Sequence, residues 1–134
     1  LLISIAGALG RVVIVKENIL PANTNQALAI VRLKEGSKLN LQYIFYYLHS
    51  SQITKHIEAI SVQGAQPNLS LQNIYDLPIY CPQILGEQLA IATILSDMDA
   101  EIEKLEQKRD KYSQIKQGMM QQLLTGNIRI YANN

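Results

Sequence analysis

The chain has no tryptophan, one phenylalanine and one cysteine in 134 residues. A lone cysteine, Cys81, excludes an internal disulfide, and a reducing, cytoplasmic setting is expected. No run of about 18 apolar residues occurs, so no membrane-spanning helix is expected. Charge is scarce: charged residues make up 17%, and the net charge is +1. A generally basic nucleic-acid coat is therefore excluded, and any DNA contact has to be local. The opening "LLIS" has neither Met nor a charged n-region. It reads as the start of a cut fragment rather than a signal peptide, and strands of the same sheet are expected upstream.

Catalytic and metal motifs are missing as well. "GALG" lacks the Gly-Lys-Ser/Thr ending of a phosphate loop and reads as a hairpin turn. No adenine-methyltransferase motif of the Asn-Pro-Pro-Tyr kind occurs. His49 and His56 are seven apart with no Cys or carboxylate at ligand spacing, so no metal is expected. Cys81 ends an apolar stretch without a histidine beside it and reads as a buried thiol rather than a nucleophile. The acidic pairs Asp97/Asp99 and Glu101/Glu103 read as solvated helix faces, not acid–base dyads. No cofactor is expected, and no enzyme activity.

What is present divides the chain in two. The apolar fraction of 48% supports one real core, with an appended element. "RVVIVKE" and "QALAIVRLKEG" read as strands separated by a loop at Pro21 and Asn23. "NLQYIFYYLHSSQITKHIEAI" carries Leu41, Ile44, Phe45, Leu48, Ile53, Ile57 and Ile60 at helical spacing, with Asn40 as N-cap and a break near Ser50-Ser51. Tyr43 and Tyr47, four apart, are expected to cover the core. A loop, a turn near Ser70 and a strand at "LPIYC" close this half.

From Gly86 to Leu124 the period changes. Ile91, Leu95, Met98, Ile102, Leu105, Arg109, Tyr112, Lys116, Met119 and Leu123 are spaced four, three, four, three, which is a coiled-coil seam. No proline interrupts it, and Gly126 suits a helix C′ cap. At 1.5 Å per residue such a helix is roughly 58 Å long, far more than a compact domain needs. Its charges are sorted. Glu87, Asp97, Asp99, Glu101, Glu103 and Glu106 precede the middle, with Lys104 among them. Lys108, Arg109, Lys111, Lys116 and Arg129 follow it, with Asp110 among them. That order complements the helix dipole. It also favours a similar helix lying antiparallel, acidic half against basic half. The expected fold is α+β: a small mixed α/β domain over residues 1–82, then residues 83–134 with a long helix at about 86–124.

"GEQLAIATILSDMDAEIEKLEQKRDKYSQIKQGMMQQLLTGNIR" resembles the helical spacer of type I restriction–modification specificity subunits. The Glu-Gln, Ile-Ala, Leu-x-x-x-Asp and Lys-x-G-x-Met-Gln-x-Leu-Leu-x-Gly patterns carry the likeness. Upstream, "AGALGRVVIV", "NTNQALAIV", "LQYIFYYLHS" and "GAQPNLSLQNIYDLPIYCP" resemble the later part of a target recognition domain. The resemblance implies a non-catalytic DNA-binding subunit that reads one half of a split sequence. Methyltransferase subunits and ATP-dependent restriction subunits are the implied partners, with a second spacer helix, or a homodimer partner, lying antiparallel. The other reading is a coiled-coil interaction module without direct DNA binding.

Base reading needs donors and acceptors that match base edges, chiefly Arg to guanine and Asn or Gln to adenine. The candidates are Arg11 after the glycine turn, Asn23, Asn25 and Gln26 in "PANTNQ", Lys55 on a helix, and Gln63, Gln66 and Asn68 in "SVQGAQPN". Asn25-Gln26 recurs in the family and equally suits a bracing role. The expected pairing face is Ile91, Leu95, Met98, Ile102, Leu105, Tyr112, Met119 and Leu123.

Overall fold

The computed structural model describes residues 1–61 and 67–131. Two compact units make up the chain, Leu1–Thr93 and Ile94–Asn134. Among the described residues no helix is long and apolar enough to cross a membrane.

The first unit is built on a three-stranded antiparallel sheet in the order β2-β1-β3. Strand β1 is Leu2–Ser4, β2 is Val12–Val13 and β3 is Leu28–Ile30. Side chains alternate across a strand, so the register sorts them by face. Ile3 stands opposite Val12 and Ala29, and all three are buried. Leu2 stands opposite Val13 and Ile30 on the other face, where Val13 and Ile30 are exposed. Against the inner face pack α1 (Leu41–Leu48) and α2 (Ser51–Ser61). Ile44 and Leu48 on α1, and Ile53 and Ile57 on α2, recur at the four-residue spacing that aligns a helix face. Together with Leu69 and Leu77 they complete the core.

Most helix boundaries follow from local chemistry. The Asn40 side chain accepts from the Tyr43 N–H at 2.9 Å, as an N-cap should. Ser70 caps a short helix α3 (Leu71–Tyr75) in a capping box with Asn73. A helix therefore stands where a turn is expected from the sequence. "LPIYC" is a second correction: it joins no strand ladder. Pro78 and Pro82 remove backbone donors there. β1 is an addition, since "LLIS" carries no strand expectation of its own.

Helix α4 spans Leu85–Leu124, 40 residues without a break, or about 60 Å at 1.5 Å per residue. Its end is as expected. Gly126 takes φ +76°, its N–H donates to the Leu123 carbonyl at 3.3 Å, and the Ile128 N–H donates to Gln122 at 3.1 Å.

The β1–β2 hairpin turns on two left-handed glycines, Gly7 and Gly10. Its turn is held by Ser4, whose hydroxyl donates to the Ala8 carbonyl and accepts from the Arg11 N–H at 2.9 Å. Gly10 has a second duty. A Cβ on it would stand 2.8 Å from Ile57 Cδ1 in the core, whereas a Cβ on Gly7 meets nothing. Gly7→Ala is therefore expected to cost about 1 kcal/mol, the left-handed backbone penalty alone. Gly10→Ala adds a core clash, for a total of about 2–3 kcal/mol. Urea unfolding checks this: both midpoints fall with unchanged slope, and Gly10→Ala falls further.

Candidate nucleic-acid interface and helix-pairing face

The sheet gathers several of the DNA-binding candidates at one end. Ser4 donates its N–H to the Arg11 carbonyl at 2.9 Å, which sets Arg11 on one side of the strand exit. On the other side the Ile5 N–H donates to Ala27 and the Ile5 carbonyl accepts from Leu69, both at 2.8 Å. Asn68 then bridges Ala6. Arg11, Asn25, Gln26 and Asn68 thus flank the segment Ser4–Ala6, all with exposed side chains. Helix α2 lies against the same hairpin, where Thr54, Ile57, Glu58 and Ser61 form with Leu9 and Gly10 a cleft of about 130 Å³. Lys55, next to Thr54, is exposed. Among the described residues neither Arg11 nor Lys55 has an ion-pair partner.

A place in this cluster does not leave every side chain free. The Asn25 side chain accepts from the Ala27 N–H at 3.0 Å and closes its own turn, a bracing role. Asn23 instead lines a groove of about 380 Å³ with Leu1, Leu20, Ile30 and Arg32. Gln63 and Gln66 lie outside the described residues.

Two of the tyrosines are structural. Tyr43 and Tyr47 stack at 6.2 Å and pack on the core. The Tyr43 hydroxyl donates to the Tyr80 carbonyl at 3.0 Å. Desolvation, then Cys81 and Tyr47, push its phenol above the ordinary range. Cys81 itself is half-buried. Exposed His49 packs tilted against Phe45, ring centroids 4.5 Å apart, and its Nδ1 lies 2.9 Å from the Phe45 carbonyl oxygen. Among the described residues no three metal-ligating side chains cluster.

One residue with a large role carries no site expectation from the sequence. Gln88, in the first turn of α4, is 1% exposed. Its Oε1 accepts from the Asn40 N–H at 2.8 Å. Its Nε2 donates to the Lys38 carbonyl at 3.0 Å and to the Pro82 carbonyl at 2.7 Å. The amide thereby ties the start of α4 to the cap of α1. The one sequence clue is its place in the Glu-Gln pattern that opens the spacer.

In the second unit the seam is uncovered. Met98, Ile102, Leu105, Tyr112 and Met119 are all exposed, between 53% for Ile102 and 59% for Tyr112. Ile91, Leu95 and Leu123 are half-buried. Toward the helix end the apolar strip widens, as Ile115, Met120 and Leu124 join Tyr112, Met119 and Leu123 around a shallow groove. Single exposed apolar residues need no explanation, but here they recur at the four-three spacing along one helix. Arg109 breaks the stripe. Its Nε–H donates to the Asp110 carboxylate at 2.9 Å, and that hydrogen bond raises the guanidinium pKa.

No solved structure matches the chain. The specificity subunit of the type I restriction enzyme MjaVIII from Methanocaldococcus jannaschii is 29% identical over 96 residues. That alignment takes in 72% of this chain and 22% of the relative, so the chain spans about a fifth of the relative's length. The model of the type I restriction modification DNA specificity domain matches residues 1–115, from the first strand to well inside α4, and the chain therefore belongs to that family.

Proposed function

We propose that the chain is the DNA-reading and spacing part of a type I specificity subunit. Residues 1–82 read one half of a split DNA target, and residues 83–134 hold that half at a set distance from a second one. Binding, not catalysis, is its whole task. Methyltransferase subunits and ATP-dependent restriction subunits assemble around it, and double-stranded DNA is its ligand. The observation that carries this reading is the 40-residue helix with an uncovered apolar stripe, in a chain of the DNA specificity family.

The DNA-facing end is proposed at Ser4–Ala6, with Arg11 and Lys55 contacting phosphates and Gln26 and Asn68 offered to base edges. Phosphate contacts set position and release counterions, so they make affinity fall steeply with salt. In a duplex titration at rising salt, Arg11→Ala combined with Lys55→Ala is expected to reduce the slope of log affinity against log salt by about two. Duplex binding that ignores salt, or a double variant with unchanged slope, would favour the interaction-module reading instead.

The stripe is proposed as the pairing face for a second spacer helix or a second copy of the chain. A parallel twin would stack Arg109 on Arg109 and Lys116 on Lys116 inside the seam, two like-charge layers. An antiparallel twin avoids both.

A further inference from the structure

We propose that a row of lysines on one flank of α4, Lys104, Lys108 and Lys111, binds the phosphate backbone of the DNA between the two half-sites. This rests on the DNA-reading role proposed above and adds a binding surface outside residues 1–82. Steps of four and three keep helical side chains on one flank. Lys104, Lys108 and Lys111 are four and three apart, while Asp99, Glu103, Glu106 and Asp110 are four, three and four apart. The two rows stand about 150° apart around the helix, one on either side of the apolar stripe. All seven residues are exposed. Between the rows, on the face away from the stripe, Ala100, Gln107 and Gln114 carry no charge. The middle of α4 is thus basic along one flank and acidic along the other.

Helix stability does not account for this arrangement. Opposite charges three or four residues apart support a helix, and like charges there weaken it. Neither Lys108 nor Lys111 has an acid three or four residues away in either direction, and Lys108 has a lysine on both sides of it in the row. Among the described residues neither forms an ion pair. Lys104 lies 3.8 Å from Glu101, but both side chains are well exposed and the pair is weak. The row therefore weakens α4 on its own and calls for an anion from outside. Duplex DNA fits that need. A helix that spaces two half-sites runs beside the duplex joining them. The row covers about 10 Å of helix axis, over which DNA carries about six phosphate charges. Phosphate contacts carry no sequence information, which suits the stretch between half-sites. Lys104 and Lys111 stand about 130° from the middle of the apolar stripe, so a helix lying on the stripe leaves them uncovered.

Lysine footprinting and salt titration test this on the full chain, with a random-sequence duplex of about 30 base pairs, longer than the helix. Bound DNA is expected to shield Lys104, Lys108 and Lys111 from acetylation, read by mass spectrometry, while Lys34 still reacts. Lys104→Gln, Lys108→Gln and Lys111→Gln together are expected to lower the slope of log affinity against log salt by about two to three. Lys16→Gln, Lys34→Gln and Lys38→Gln remove the same charge from the first unit and are expected to lower it by less than about one. Equal effects of the two triple variants mean that only net charge matters, and they overturn the row as a site. A slope that depends on Arg11 and Lys55 but not on the three lysines overturns the row and leaves the DNA-reading role standing. No salt-dependent binding by the parent overturns both. Shielding that appears on concentrating the protein without DNA assigns the row to contact between chains, and overturns it too.

Discussion

Leu95→Asp, Ile102→Asp and Leu105→Asp together leave the chain monomeric in sedimentation, at concentrations where the parent is a dimer. The expectation follows from what each position faces. All three belong to the four-three spacing, and Ile102 and Leu105 are more than half exposed in the single chain. In a symmetric pair each substitution counts twice, so six apolar side chains lose their burial. At about 2 kcal/mol for each buried side chain, the loss is about 12 kcal/mol. A micromolar dimer is held by only about 8 kcal/mol. Carboxylates sealed into an apolar seam add a desolvation penalty on top. Aspartate is also a weaker helix former, by a fraction of a kcal/mol per position, which is too little to account for dissociation. A control separates seam from charge: Ala100→Asp, Gln107→Asp and Gln114→Asp add the same number of acids on the outer face and are expected to leave the dimer intact. A dimer that survives the seam variant would show that pairing uses another face.

How much of this was legible in the residues depends on how local each cause is. Helix α4 was, because a period kept from Ile91 to Leu123 and a glycine at 126 are decided within a few turns. The expected start at Gly86 falls one residue short of the observed Leu85. Asn40 and the Ser50-Ser51 break were legible for the same reason, and both hold. The centre of the sheet was not. β1 is central only because Val12–Val13 and Leu28–Ile30 come to its two edges, a pairing that no local pattern in "LLIS" announces. "LPIYC" misled in the opposite way. Its apolarity serves burial at Leu77, while its backbone offers the Tyr80 carbonyl to Tyr43 and that of the adjoining Pro82 to Gln88 instead of joining a ladder. At Ser70 the capping box uses Asn73 where Glu or Gln is usual, so the helix start was hidden. Among the DNA candidates, residue type did not separate bracing from exposure: Asn25 spends its side-chain oxygen on its own turn, whereas Gln26 and Asn68 stay exposed.

Gln88→Leu is expected to lower the stability of the first unit by about 3–6 kcal/mol, the largest effect of any single substitution considered. The side chain is close to leucine in size, so packing is nearly kept and the hydrogen bonds are what is lost. Three backbone groups depend on that one amide: the Asn40 N–H and the carbonyls of Lys38 and Pro82. Each loses its partner at a part-buried site beside a side chain that is itself 1% exposed, at about 1–2 kcal/mol apiece. A domain of this size is held by only about 5–15 kcal/mol, so the variant unfolds at far lower denaturant. Gln88→Glu is the sharper version. It keeps the shape but replaces the donating Nε2 with an oxygen turned toward two carbonyl oxygens, and it is expected to be at least as damaging. Glu87, one residue earlier and exposed, is the matched control: Glu87→Gln is expected to stay within about 0.5 kcal/mol of the parent. Circular dichroism during urea unfolding measures all three. Were Gln88→Leu to unfold with the parent, the amide would be a bystander, and the start of α4 would owe its place to Ala92 and its apolar neighbours alone.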